Sequence, residues 1–104
     1  METAVRLNTP LVILIWNDCG YGLIEWKQMS RFGRTSNVSY NNPDFVRYAE
    51  SFGAKGFRVE KTEDLLPTLQ EAIDAKCVCV IDCPVDYSEN LKLTEHLGEM
   101  VCPI

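Results

Sequence analysis

The sequence has 104 residues, 46% of them hydrophobic and 24% charged, with a net charge of -5. These totals suit one small globular domain and exclude a disordered chain. They argue against nucleic acid, which needs clustered Lys and Arg, and the longest apolar run, Leu11 to Trp16, is too short to span a bilayer.

The chain opens with "METAVRLN", whose Met1, Ala4 and Val5 share one side of a helix with no N-cap before it. It has the look of the back half of a helix. Asn8, Thr9 and Pro10 stop it, because proline cannot continue a helix and restricts its predecessor. The first ten residues carry Glu2 and Arg6 and no apolar stretch of the kind a cleavable signal needs. Five cysteines then read as reduced thiols of a cytoplasmic protein.

Leu11 to Trp16 is apolar without alternation, which predicts a strand covered on both faces. A helix is expected from Gly22, with Leu23, Ile24, Trp26, Met29 and Phe32 on its apolar side and Gly33 just past its end. After the polar loop "RTSNVSYNN" comes a second helix, with Asn42 as N-cap, Pro43 in its first position, and Phe45, Val46, Ala49 and Phe52 inward. "KGFRVE" reads as a short strand. Thr62 is then expected to cap a helix whose core stripe is Leu65, Leu66, Leu69, Ala72 and Ile73. "CVCVID" is a further buried strand ended by Asp82, Cys83 and Pro84, and a surface helix is expected from Ser88. Strands alternating with helices predict an α/β fold, a mostly parallel sheet flanked by helices on both faces.

The run "LVILIWNDCGYGLIEWKQ" holds the chemistry. A buried strand ends in Asn17 and Asp18, then Gly20 and Gly22 lead into a helix. In open parallel sheets, ligands bind at the carboxyl ends of strands. Mg²⁺ favours one or two carboxylates together with substrate phosphates. Glycines there let a carbonyl turn toward the metal and a helix start close to an anion. The spacing suits a metal–diphosphate clamp. On the residues alone the plainer reading is a polar turn, with Asp18 capping the helix and the glycines serving sterics.

The stretch "WNDCGYGLIEWKQ" resembles the second half of the thiamin-diphosphate motif of acetolactate synthases, where a Gly-Asp-Gly is followed further along by Asn-Asp-Asn. "FGR", "NPDFVRYAESFGAKGFRVE", "EDLLPTLQEA" and "VIDCPVDYSENLKLTEHLG" resemble the cofactor domain of that family in the same order, over nearly the whole chain. The resemblance implies thiamin diphosphate and Mg²⁺ as cofactors. It makes Asp18 a side-chain ligand and Gly20 a carbonyl ligand of the metal. Asn17 would support the turn, and Tyr21 and Gly22 would line the diphosphate. An ungapped match puts Lys27 at the acceptor pocket. The implied reaction decarboxylates pyruvate and condenses the hydroxyethyl group with a second 2-oxo acid, in a homodimer or homotetramer. Branched-chain amino-acid biosynthesis and acetoin metabolism both draw on that reaction.

Two departures stand out. Cys19 occupies the place of the motif's second asparagine, and no Gly-Asp-Gly lies upstream. Residues 1–104 are therefore expected to be an N-terminally truncated cofactor-binding domain, inactive alone, since the family's activating glutamate comes from another domain. The alternatives are a non-catalytic α/β interaction or regulatory module, and a fragment of another thiamin-diphosphate decarboxylase or oxidase. Elsewhere, Cys77, Cys79 and Cys83 read as small buried hydrophobes rather than a zinc site, which wants four ligands in a recognised spacing. Arg31, Arg34, Glu25 and His96 read as solvated surface residues, and the tail from Asp86 to Gly98 either packs or closes over the cofactor.

Overall fold

The computed structural model describes residues 1–89 and 92. The chain divides into two compact units, one formed by Met1–Asn17 with Asn42–Pro84, the other by Asp18–Asn41 with the described residues that follow Pro84. The expected tail helix and His96 lie outside the described residues.

The first unit is a parallel three-stranded sheet in the order β1-β3-β2, with β1 at Leu11–Asn17, β2 at Lys55–Arg58 and β3 at Val78–Pro84. Leu11 pairs with Val78 and Asn17 with Pro84 along one edge of β3; Lys55 pairs with Cys79 and Arg58 with Asp82 along the other. The central strand runs two residues further than its apolar run suggests. Its last residue, Pro84, pairs with Asn17 at the end of the ladder.

Alternation along the strands sends side chains to two cores. Ile13, Ile15, Val78 and Val80 pack with Ala49 of α3 (Phe45–Ser51) and with Ala4 and Val5 of α1 (Glu2–Arg6). Val12, Leu14, Cys79, Ile81 and Cys83 pack with Leu65, Leu69 and Ala72 of α4 (Leu65–Asp74), which follows a short 3-10 turn at Thr62–Asp64. The sheet is thus flanked by helices on both faces. Over Gly56 of β2, α3 comes so close that a Cβ there would lie 2.6 Å from the Val46 carbonyl oxygen.

Several local expectations change. β1 is only half-buried although its side chains pack on both faces, Val12 and Leu14 on one and Ile13 and Ile15 on the other, because among the described residues it is an edge strand paired with β3 alone. Asp44, not Asn42, caps α3: its Oδ1 accepts from the amides of Val46 and Arg47, which leaves Pro43 outside the helix. Thr62 makes no capping bond. Leu66 is 76% exposed and Ile73 53%, so the stripe of α4 is Leu65, Leu69 and Ala72, spaced for one face. Phe52, just past α3, is exposed against the edge of Tyr48.

In the second unit, α2 spans Gly22–Phe32 and ends on Gly33 with φ 65°, the left-handed closure expected of a glycine. Leu23, Ile24, Met29 and Phe32, its expected apolar side, are all exposed. Gln28 holds the following loop: its Oε1 accepts from the Ser36 amide at 2.7 Å and its Nε2 donates to the Ser36 carbonyl at 3.3 Å. Among the described residues no helix is long and apolar enough to cross a membrane.

Candidate functional site

In the first unit, the carboxyl end of the sheet is organised by one buried carboxylate. Asp82 is 1% exposed, and burying a charge is costly unless it is paired and hydrogen-bonded. Its Oδ2 accepts from Arg58 of β2 at 2.6 Å and its Oδ1 from Nδ2 of Asn17, the last residue of β1, at 2.9 Å. The Asn17 Oδ1 in turn accepts from Nδ2 of Asn42 at 2.8 Å. These bonds fix which way the Asn17 amide faces. Sequence reasoning assigned Asp82 only the end of a strand. A carboxylate inside an otherwise apolar strand was the signal that could have marked it.

In the second unit, Asp18 to Gly22 form a turn at the start of α2. The Asp18 carboxylate folds back on the turn, with Oδ1 accepting from the Gly20 amide at 3.1 Å. No side chain caps α2, so Asp18 serves the turn rather than the helix cap. A Cβ on Gly22 would stand 2.8 Å from Asp18 Oδ2, so glycine leaves the space the carboxylate occupies. Cys19 takes φ 53°, a conformation that asparagine tolerates better than most side chains.

Across from this turn runs the segment Val38–Tyr40. The Tyr21 amide donates to the Val38 carbonyl at 2.8 Å and the Tyr40 amide to the Cys19 carbonyl at 2.9 Å, around an antiparallel bridge between Gly20 and Ser39. In such a non-hydrogen-bonded pair, each residue's own N–H and C=O point away from the opposite segment. The Gly20 N–H does so, toward Asp18. Its C=O is turned to that same side, so a carboxylate and a carbonyl oxygen are offered together, donors that suit a hard divalent cation. The ring of Tyr21 rests on that of Tyr40, with centroids 4.7 Å apart.

A cleft of about 830 Å³ opens beside the turn, lined by Asp18, Gly22, Leu23, Trp26 and Met29 of this unit, together with Tyr87. Leu23, Trp26 and Met29 share a face of α2 at three-residue spacing. Leu23 and Met29, exposed on the helix, line this cleft with the half-buried Trp26. Lys27 is exposed and does not line it. Glu25 lines the cleft from the helix surface, and Arg31 and Arg34 are exposed. Among the described residues no three His, Cys, Asp or Glu side chains gather as a metal cluster. Cys79 and Cys83 are buried, and burial pushes both thiols up, Cys79 from 9.0 to about 11.

Residues 1–83 match the family model described as "Thiamine pyrophosphate enzyme, C-terminal TPP binding domain". The chain belongs to that family. It is 43% identical, over 97% of its length, to the acetolactate synthase of Bacillus subtilis (strain 168), covering 19% of that protein. It is also 43% identical, over 93% of its length, to the catabolic acetolactate synthase of Raoultella terrigena, covering 17% of it. The chain therefore spans less than a fifth of the relatives it matches. The crystal structure of benzoylformate decarboxylase from Polynucleobacter necessarius shares the fold, with a TM-score of 0.71 over 81% of this chain and 16% of that one, at 22% identity. In this family setting the turn at Asp18–Gly22 is the candidate cofactor-binding element.

Proposed function

We propose that the chain is the carboxyl-terminal, cofactor-binding part of an acetolactate synthase that acts on pyruvate and a second 2-oxo acid. The observation that carries this reading is the turn, where the Asp18 carboxylate and the Gly20 backbone offer oxygens on one side beside a glycine start to α2. Asp18 and the Gly20 carbonyl would hold Mg²⁺. Tyr21 and Gly22 would face the diphosphate, and Asn17 would keep the end of β1 in place. Thiamin diphosphate, when bound, supplies the electron sink for loss of carbon dioxide from a 2-oxo acid, and Mg²⁺ ties its diphosphate to the protein.

Leu23, Trp26 and Met29 give the cleft apolar walls, which keep water from a small acid. Lys27, next to Trp26 on α2, is assigned to the acceptor side on family resemblance. Identity to acetolactate synthases favours this enzyme over other decarboxylases and oxidases. The rest of such an enzyme would supply the activating glutamate and the remaining metal ligands, in a cytoplasmic homodimer or homotetramer. Residues 1–104 alone are then inactive.

The test is Asp18→Ala in the intact enzyme, with thiamin diphosphate affinity measured by calorimetry in the presence of Mg²⁺. Outer-shell partners of a bound metal are worth roughly 10–100-fold in affinity, and loss of a direct ligand should weaken binding by at least that much. Unchanged affinity would exclude Asp18 as the ligand.

A further inference from the structure

We infer that Val38–Tyr40 is a positioning strap, whose backbone bonds to Cys19 and Tyr21 hold the Gly20 carbonyl toward the cation. This rests on the proposed metal role of Asp18 and Gly20, but none of the strap residues is a ligand. A carbonyl in a glycine-containing turn is free to rotate unless its neighbours are held. Here both neighbours are held: the Cys19 carbonyl by the Tyr40 amide and the Tyr21 amide by the Val38 carbonyl. With those two groups turned to the strap, the intervening Gly20 N–H and C=O are left on the opposite side.

Two further features show that the strap sits close and is itself fixed. A Cβ on Gly20 would lie 3.3 Å from the Val38 carbonyl oxygen, tighter than ordinary contact. Val38 is 5% exposed, and the Gln28–Ser36 pair anchors the chain just before it. Glycine at position 20 therefore serves close approach of the strap as much as freedom of the turn. The strap belongs to the loop after α2, a stretch whose polar composition alone suggests nothing but a connection.

Geometry supplies a matched pair of variants. The Tyr40 amide is bonded to Cys19, whereas the Ser39 amide, in the outward-facing pair, is not part of the ladder. Tyr40→Pro removes the strap bond; Ser39→Pro removes an N–H that the strap does not use. Mn²⁺ affinity of the intact enzyme, read by electron paramagnetic resonance without substrate, should fall about tenfold in Tyr40→Pro, the equivalent of one backbone hydrogen bond of about 1.4 kcal/mol. Ser39→Pro and Tyr40→Ala, which both keep the strap bond, should stay within about threefold of the parent on the same scale. Equal affinity in Tyr40→Pro and the parent overturns the strap, as does a Tyr40→Ala loss as large as that of Tyr40→Pro, since the ring would then carry the effect. Asp18→Ala is measured alongside. If it leaves Mn²⁺ affinity unchanged, the metal assignment itself fails; if it weakens binding while Tyr40→Pro does not, only the strap fails. Should Tyr40→Pro lose its circular dichroism signal, amide exchange on the unaltered enzyme decides. The Tyr21 and Tyr40 amides should gain protection together on Mg²⁺ addition, and unchanged protection overturns the strap.

Discussion

Exchanging the chemistry of Asn17 and Asp82 tests the buried network directly. Asn17→Asp places a second carboxylate against the Asp82 Oδ1 that Asn17 Nδ2 reaches at 2.9 Å. The lost hydrogen bond has a charged acceptor, worth about 1.5–3 kcal/mol. Like-charge repulsion in a site where Asp82 is 1% exposed adds to it, for a total cost of about 3–5 kcal/mol, the range seen when a buried pair is broken. Adding Asp82→Asn should recover most of this. The new amide can donate to residue 17 and accept from Arg58, and Asn42 can still donate to residue 17. These three hydrogen bonds then each keep a donor and an acceptor. Arg58 loses its adjacent charge, but its side chain is 51% exposed and water screens it, so the double variant should fall within about 1 kcal/mol of the parent. Urea denaturation at pH 7 measures both variants. The single variant also has a distinctive pH dependence. Repulsion raises the folded-state pKa of the carboxyl introduced at residue 17 above its unfolded value. The protonated form is therefore favoured by folding, and Asn17→Asp should regain stability as pH falls from 7 toward 5. A single variant within about 1 kcal/mol of the parent, or a double variant no better than the single, would refute the network as the organiser of the sheet end.

Other consequences are as concrete. Gly56→Ala should destabilise the first unit by about 1–3 kcal/mol or prevent its folding, because the new methyl meets backbone of α3 rather than a mobile side chain; thermal unfolding checks it. Cys19→Asn should raise stability by about 0.5 kcal/mol by easing the positive φ, and leave turnover of the intact enzyme within a few-fold, both readable from one purified variant. Iodoacetamide at pH 8 should label Cys79 and Cys83 only after unfolding, as peptide mass mapping would reveal. Burial raises both folded-state pKa values, so the stability this contributes is full below pH 9; the Cys79 share is lost as pH climbs toward about 11, a decline that denaturation titrations would follow.

Much of the architecture is legible from periodicity. The apolar runs at Leu11–Trp16 and Cys77–Ile81 become adjacent parallel strands, and Gly33 ends α2 as a left-handed residue. What misleads is local chemistry with two possible uses. Asn42–Pro43 has the form of a cap followed by a first helical residue. Asn42 instead spends its amide on Asn17, and Asp44, two residues on, bonds the helix amides. Leu66 and Ile73 fit an apolar helix pattern, but α4 rests one face on a three-stranded sheet, too narrow to cover both rows. At the candidate site, Asp18, Gly20 and Gly22 are visible in the sequence because the strand-to-helix turn is contiguous. Asp82, Arg58 and Val38–Tyr40 are not, since each acts on the turn region or the sheet end from a distant part of the chain. No spacing rule connects them.

The position of β3 sets the order in which this domain can be made. Both of the other strands pair with it, Leu11 with Val78 and Lys55 with Cys79, and among the described residues they pair with nothing else. Within the described residues, β1 and β2 therefore gain their ladders only once β3 has been made. Such late, long-range closure is slow and leaves apolar edges open in the meantime. A chain that lacks β3 does not lose one strand of three; it loses both of the described ladders at once.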